Sequence, residues 1–447
     1  MSRRSLFIVF AGAVLLGAVL SACGGGGTIG NGNNGGNGNN GGNGNNGGNG
    51  NNGGNGGNQR LLSVAIADAS WVAYQDGSNA NWQTLASTGG FNGTVPVNST
   101  DGRYSLAFVC EGEKTTVYTV HATHQEIPQV SFTCSAPAAE ITVTGNVSGL
   151  ENGSAIISIG QASVSAQAEY TLQVPQGPQD VIAVRFAGDI PNRVWIHRRA
   201  EFTGGSPYNI DFSGQGDSSI QVFDVGSGNL TILGRNLQEN EESTVRLLLE
   251  SERRLTRVGV RELLVNLTVN EIFRYPIFPE ASLSAGERFR LLVETSQQRG
   301  VVQVLTGNLP SVLNLQLPEA YVAPTLSVNT VGAVQVSVDG FSYGEPPLGY
   351  QLTISQANGS RVFQQLITPG WLGSATSYTT PVLETLSNWR SEWSLVRDES
   401  LSVGFRVYTS PSGATPQQLW EYLALPNSTL PDNFTLRYAT RLQTLTP

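Results

Sequence analysis

The chain is poor in the residues that most enzymes work with. It holds three histidines, one methionine and a single lysine, Lys114, in 447 residues, so centres built on histidine or lysine have few positions to draw on. Charged residues make up 13%, and acidic outnumber basic by 34 to 25, which removes the positive footprint that nucleic-acid binding requires. The other basic residues are arginines. They are scattered along the chain and read as composition; gathered in one place, they would point to phosphate or carboxylate recognition. There is no Gly-x-Ser-x-Gly elbow, no His-Glu-x-x-His pair, no Walker-type loop and no dinucleotide fingerprint. No cofactor is implied, and the chain reads as a non-enzyme.

Cysteine is equally scarce: Cys23, Cys110 and Cys134. Outside the cytoplasm the last two form an even pair that is most simply a disulfide. A closed loop of about 24 residues stabilises by roughly 3 kcal/mol in the chain-entropy model. Two thiols with His121 and His124 between them offer a metal site as the alternative. That spacing follows no zinc pattern, and residues three apart on a strand point to opposite faces, so no metal is expected.

Cys23 has a different setting. Arg3 and Arg4 precede an apolar run from Leu6 to Leu20 that only small residues interrupt, and Leu20-Ser21-Ala22-Cys23 follows. This is the layout of an export signal over residues 1–22. A membrane-spanning helix is the competing reading, but the run is marginal for about 30 Å of hydrocarbon, and its following flank is Gly and Asn, not basic. The tetrapeptide resembles the lipobox of bacterial lipoproteins. That resemblance implies diacylglycerol on the Cys23 sulfur, cleavage before Cys23 and acylation of the new amino group. Two or more acyl chains anchor stably where one does not. Gly24, in place of an aspartate, implies the outer membrane or cell surface.

Residues 23–58 are the lipidated cysteine and a tract of almost only Gly and Asn, with no apolar residue between Ile29 and Leu61. No core can form there, so a disordered tether is expected, with an r.m.s. span of about 30–35 Å. A self-associating Asn-rich segment is the alternative, which the lack of aromatic residues disfavours.

From Leu61 onward, runs of Val, Ile, Thr, Leu and aromatics alternate with Gly, Pro, Asn and Asp, the pattern of an all-β chain. The length is too great for one sandwich core. Tandem β-sandwich modules are expected at 61–137, 138–214, 217–318 and 321–447. Tyr104-Ser105-Leu106 and Tyr170-Thr171-Leu172 echo each other, and each precedes a Gly-containing turn and a further strand, suggesting an internal repeat. In the third module Phe289 to Leu305 reads as strand, and Val245 to Leu255 reads as strand in preference to a short helix.

Gly145-Asn146-Val147-Ser148-Gly149-Leu150, with Tyr170-Thr171-Leu172-Gln173-Val174-Pro175 and Gly177, resembles the carboxypeptidase regulatory-like, or transthyretin-like, β-sandwich. Ala168-Glu169 departs from it, standing where the family places a glycine before the tyrosine. The resemblance covers about 75 residues and implies a folding, spacing or adhesion unit without catalysis. Ala323-Pro324-Thr325-Leu326-Ser327-Val328, followed by Gly349-Tyr350-Gln351-Leu352-Thr353-Ile354, is similar to the opening of fibronectin type III and related Ig-like sandwiches.

Three further features bear on function. Trp371, Trp389, Trp393 and Trp420 crowd the last module and make a candidate platform for a glycan or an envelope protein, although such residues are more often core. Asp76-Gly77-Ser78-Asn79-Ala80-Asn81 reads as a polar turn, because Ala80 and the lack of a bidentate glutamate break the calcium-loop pattern. An envelope glycan hydrolase, the competing class, needs a converging pair among Asp211, Asp217, Asp224 and the Glu239–Glu242 run. The leading expectation is a membrane-anchored, envelope-exposed lipoprotein with a structural, adhesive or ligand-binding head.

Overall fold

A computed structural model describes residues 60–134, 139–204, 207–214, 218–233, 241–251, 254–265, 272–296, 298–356, 358–424 and 430–446. Cys23, the Gly/Asn tract, Asp217 and Glu239 lie outside them. The described chain is all-β, apart from two short α-helices and two 3₁₀ turns, Glu280–Ser282 and Ser391–Trp393.

The first unit holds β1 (Arg60–Ala67), β2 (Trp71–Asp76), β3 (Gln83–Ala86), β4 (Gly90–Val97), β5 (Arg103–Cys110), β6 (Thr115–Thr123) and β7 (Gln129–Thr133). They form two facing sheets, ordered β4-β1-β7 and β3-β2-β5-β6, with β1 antiparallel to β4 and parallel to β7. The second unit holds β8 (Glu140–Ser148), β9 (Ser154–Ile159), β10 (Ala162–Ala166), β11 (Glu169–Pro175), β12 (Gly177–Ala187), β13 (Ile190–Phe202) and β14 (Ile210–Asp211). Its sheets run β11-β8-β14 and β10-β9-β12-β13, the same two patterns, and β15 (Ile220–Asp224) adds to the β13 edge. The third unit repeats them again with β16 (Gly226–Leu233), β17 (Glu241–Ser251), β18 (Arg254–Val265), β19 (Phe273–Ile277), β20 (Arg288–Thr295), β21 (Arg299–Thr306) and β22 (Val312–Gln316). Counted within each unit, the orders are 4-1-7 and 3-2-5-6 three times over.

Sequence and structure differ on two details. The tyrosines of the expected echo are not equivalent: Tyr104 lies in the fifth strand of its unit and Tyr170 in the fourth of its own. A Tyr-x-Leu alternation suits any half-buried strand, so it matched the wrong pair. Phe289 to Leu305 is a hairpin, with Gln298 at φ 61° in its turn.

The last unit is built otherwise. It holds β23 (Thr325–Asn329), β24 (Gln335–Asp339), β25 (Gly349–Gln356), β26 (Arg361–Ile367), α1 (Pro369–Leu372), β27 (Ser377–Thr379), β28 (Leu401–Thr409), α2 (Pro416–Ala424) and β29 (Thr435–Leu445). Its sheets are β23-β24-β27 and β29-β28-β25-β26, or 1-2-5 and 7-6-3-4.

Alternation explains the strands. In β11, Tyr170, Leu172 and Val174 are buried while Glu169, Thr171 and Gln173 face solvent. Gly145 of β8 lies under the Tyr208 carbonyl; a Cβ there would stand 1.9 Å from that oxygen. Tyr170 donates its hydroxyl hydrogen to the same carbonyl, so glycine and tyrosine in this motif serve one crossing point.

The units are joined edge to edge. β21 pairs antiparallel with β29, and β26 pairs parallel with β6. A twelve-stranded sheet results, ordered β18-β17-β20-β21-β29-β28-β25-β26-β6-β5-β2-β3. One hydrophobic cluster on it unites Leu62 and Phe108 of the first unit, Leu248 and Leu292 of the third, and Leu419, Trp420 and Phe434 around α2. The last unit therefore stands between the first and third and shares a core with both.

Candidate functional site

Cys110 closes β5 and Cys134 follows β7, and the two are disulfide-bonded with their Cα atoms 5.2 Å apart. The bond ties the two sheets of the first unit together. His121 and His124 take no part in it. His124 Nε2 lies 3.1 Å from the Leu61 carbonyl, and His121 is buried elsewhere. No group of three or more His, Cys, Asp or Glu side chains that could hold a metal occurs among the described residues.

The four tryptophans do not form one platform. Trp393 and Trp420 are buried at 1% and 4% exposure, whereas Trp371 and Trp389 are half-buried. Trp420 sits on α2 against Phe132, and Trp371 packs on His121. Only Trp389 and Trp393 meet, edge to face at 5.4 Å, and Trp389 also meets Trp71 of β2 at 5.1 Å. Aromatic residues far apart in the sequence were drawn to separate cores because each had its own apolar face to cover.

What this aromatic trio does is local and specific. On β2 and β5, Val72, Phe108 and their neighbours point into the first unit, so Trp71, Ala73, Ala107 and Val109 point out of it. The crossing segment 381–397 of the last unit covers that outer face with Leu383, Trp389 and Trp393. Trp71 Nε1 donates to the Ser387 carbonyl at 3.1 Å. Glu111, one residue past the disulfide, accepts from Ser70 Oγ at 2.5 Å and from Trp393 Nε1 at 2.8 Å. Arg390 lies 3.2 Å from the same carboxylate and 4.9 Å above the Trp393 ring. The Ser70 and Trp393 hydrogen bonds hold the Glu111 carboxyl below its ordinary range. Nothing in the sequence around Glu111 announced this role; the one signal was Trp71 on a face that alternation left uncovered.

A second clamp lies at the other end of the same excursion. Glu126 accepts from Thr368 Oγ1 at 2.5 Å and from the Gly370 amide at 2.7 Å, which fixes the start of α1 on the first unit. Beside it runs a buried chain. Tyr378 donates to Gln365, His121 Nε2 lies 2.8 Å from the Tyr378 oxygen, and Ser105 Oγ lies 2.7 Å from His121 Nδ1. With the Tyr378 hydrogen committed to Gln365, His121 donates from Nε2 and accepts from Ser105 at Nδ1. A serine on a histidine nitrogen is the start of a nucleophile, yet Ser105 is 0% and His121 2% exposed, so no substrate meets them. Burial pushes the imidazole down to about 3, which keeps it neutral. The network joins units; it is not a catalytic centre.

Three carboxylates of the hydrolase reading, Asp211, Asp224 and Glu241, have their own structural work. Asp211 accepts from the Ser213 hydroxyl and amide, which hold it below its ordinary range. Asp224 pairs with Arg193 at 2.9 Å. Glu241 is buried against Arg299. Asp76 accepts from the Asn98 and Ser99 amides at 3.0 Å and closes a polar turn.

No protein-family model and no curated protein matches the chain. Among solved structures, the chain is similar to the FN1–FN3 domains of chicken CNTN1, at 12% identity, over 57% of this chain and 83% of that one, with a TM-score of 0.15. It is similar also to a Ca2+-stabilised adhesin with which an Antarctic bacterium binds ice, at 11% identity, over 85% of this chain and 90% of that one, with a TM-score of 0.16.

Proposed function

We propose that the chain is an exported lipoprotein, anchored through acyl chains on Cys23, whose β-sandwich head serves in structure, adhesion or ligand binding in the cell envelope and performs no catalysis. The observation that carries the anchor is Leu20-Ser21-Ala22-Cys23 at the end of a basic-then-apolar leader. The Cys110–Cys134 disulfide supports an oxidising destination. The head has the properties of a mechanical or docking element: β6 and β21 are paired with strands of the last unit, Glu111 and Glu126 hold segments of that unit on the first, and the buried Ser105–His121 pair is closed to substrate.

Metabolic labelling of the full chain with an alkyne fatty acid, alongside Cys23→Ser, tests the anchor. Label on the wild type and none on the variant is expected; an unlabelled wild type sinks the lipoprotein reading. Protease treatment of intact cells then reports whether the head faces outward. A glycan array and an envelope-protein pull-down with the same chain test the binding role.

A further inference from the structure

The arginines that look scattered in the sequence are gathered by the fold. On β17, Arg246, Leu248 and Glu250 share the face opposite to the third unit's own core, as Leu248 belongs to the inter-unit cluster and Leu247 to the other. Leu248 is flanked by Arg257 of β18 on one side and Arg290 of β20 on the other, and Glu250 by Arg288. Four guanidinium-bearing positions thus occupy neighbouring places on one face of three strands, in a chain of net charge −9.

Two of the four are neutralised. Glu250 pairs with Arg288 at 2.8 Å and with Arg290 at 2.9 Å, and Arg288 also reaches Asp432 at 3.2 Å. Arg246 and Arg257 form no ion pair among the described residues. They lie diagonally across the β17–β18 pair: Arg257 faces Leu248, two residues from Arg246, with a register shift between Leu247 and Leu248, and diagonal neighbours are within reach for long side chains. Both are half-buried, so they are partly desolvated yet reach solvent. Arg257 donates from Nη1 to Ser163 Oγ of β10 at 3.0 Å, and its backbone amide donates to the Gly160 carbonyl, which seats the second unit beside the pair. Its Nε is buried without a hydrogen-bond partner. Burial and then the Arg246 charge hold the Arg257 guanidinium below its ordinary range.

Two like charges brought together with a buried donor left over are costly, and the arrangement is relieved by an anion that accepts from both. We propose that Arg246, Arg257 and Ser163 form a binding site for an oxyanion, carried as the carboxylate of a uronic acid or the sulfate ester of an acidic glycan. Guanidinium forks match both groups in shape and bind them by paired, charge-assisted hydrogen bonds. The site lies where the second and third units meet, so a ligand there contacts both. The proposal deepens the ligand-binding part of the proposed function and is independent of the anchor, so labelling at Cys23 and binding here succeed or fail separately.

Calorimetric titration of the full chain at low ionic strength tests it. The probes are inorganic sulfate, trigalacturonate and a heparin-derived tetrasaccharide. Binding to the wild type is expected, weakened by about tenfold or more in Arg246→Gln and in Arg257→Gln, less in Ser163→Ala, and not at all in Arg193→Gln. A preference for trigalacturonate identifies the carboxylate source, and a preference for the heparin fragment the sulfate source. A second readout separates binding from folding: without any anion, Arg246→Gln melts at or above the wild-type temperature, because it removes a repulsion, and sulfate raises its melting temperature by less than it raises those of the wild type and of Arg193→Gln. Equal binding by wild type and both arginine variants overturns the site, as does absence of binding by all three probes at about 10 mM.

Discussion

The first three units and the last are both two-layer sandwiches, yet they treat their edges differently. In each of the first three, the sixth strand (β6, β13 or β21) ends a sheet and presents a row of free backbone groups. Each of these edges is covered by something outside the seven-strand pattern: β6 by β26, β21 by β29, and β13 by the short β15. The last unit, in its 7-6-3-4 order, has its outer strands at both ends of one sheet and offers both. In each repeat the sixth strand is the edge that is capped, while the third strand stays at the end of its sheet, and a sandwich of different topology caps two repeats at once. The comparison also ranks the caps. β26 and β29 bring whole cores with them, whereas β15 brings five residues, the exposed Arg193–Asp224 pair and a hydrogen bond from Arg198 to Gln221.

The largest effect is expected at the cap on β6. Trp393→Ala empties a buried position between the segment 381–397 and the first unit and should cost about 3–5 kcal/mol in denaturant unfolding. Amide exchange should rise first in β2 and β5, and uniform exchange across the chain would contradict the clamp. At the cap on β21, a Cβ on Gly300 would stand 2.2 Å from the Tyr438 ring, so Gly300→Ala should cost about 1–3 kcal/mol. Exchange should then rise at β21 and β29 while β6 and β26 stay protected.

Acid distinguishes the two caps without mutation. His121 is neutral in the folded chain, with its value near 3, while an unfolded histidine titrates near 6.5. The unfolded state binds the extra proton below that, so stability is full above about pH 6.5 and falls as pH drops towards 3, by about 1 kcal/mol per pH unit. His121→Asn should flatten this dependence between wild-type and variant unfolding curves; parallel curves would remove His121 as the cause. The smallest effect belongs to β15. Asp224→Asn breaks a largely exposed ion pair and should change stability by less than about 1 kcal/mol. A larger loss would place β15 level with the caps of the last unit and erase the ranking.

Much of the fold was legible. The strands followed from period-two alternation, as in β11, and the Cys110–Cys134 partners from their number. The tryptophans were legible as a feature but not as a site. Their enrichment between 371 and 420 suggested a shared surface, and the structure divides them among separate cores, because Trp371 on α1, Trp420 on α2 and Trp389 and Trp393 on the crossing segment belong to different elements whose directions spacing does not fix. Glu111 and Glu126 were invisible: a carboxylate becomes a clamp only through donors some 280 or 240 residues away, such as Trp393 Nε1 and Thr368 Oγ1. The same holds for Arg246 and Arg257, eleven positions apart in sequence but adjacent across a hairpin.

By itself, then, the sequence determined the all-β class, the alternating inward and outward faces of strands such as β11, and the disulfide partners. Each of these depends on residues near one another in the chain or on a side-chain type that stands apart. The tertiary structure alone decided which edge meets which, how the last unit comes to lie between the first and third, and where the charges without partners collect. Edge pairing is made by backbone N–H and C=O groups that every residue but proline shares, so no side chain records the choice. Only the packing of the paired units, with α2 seated between them, selects it.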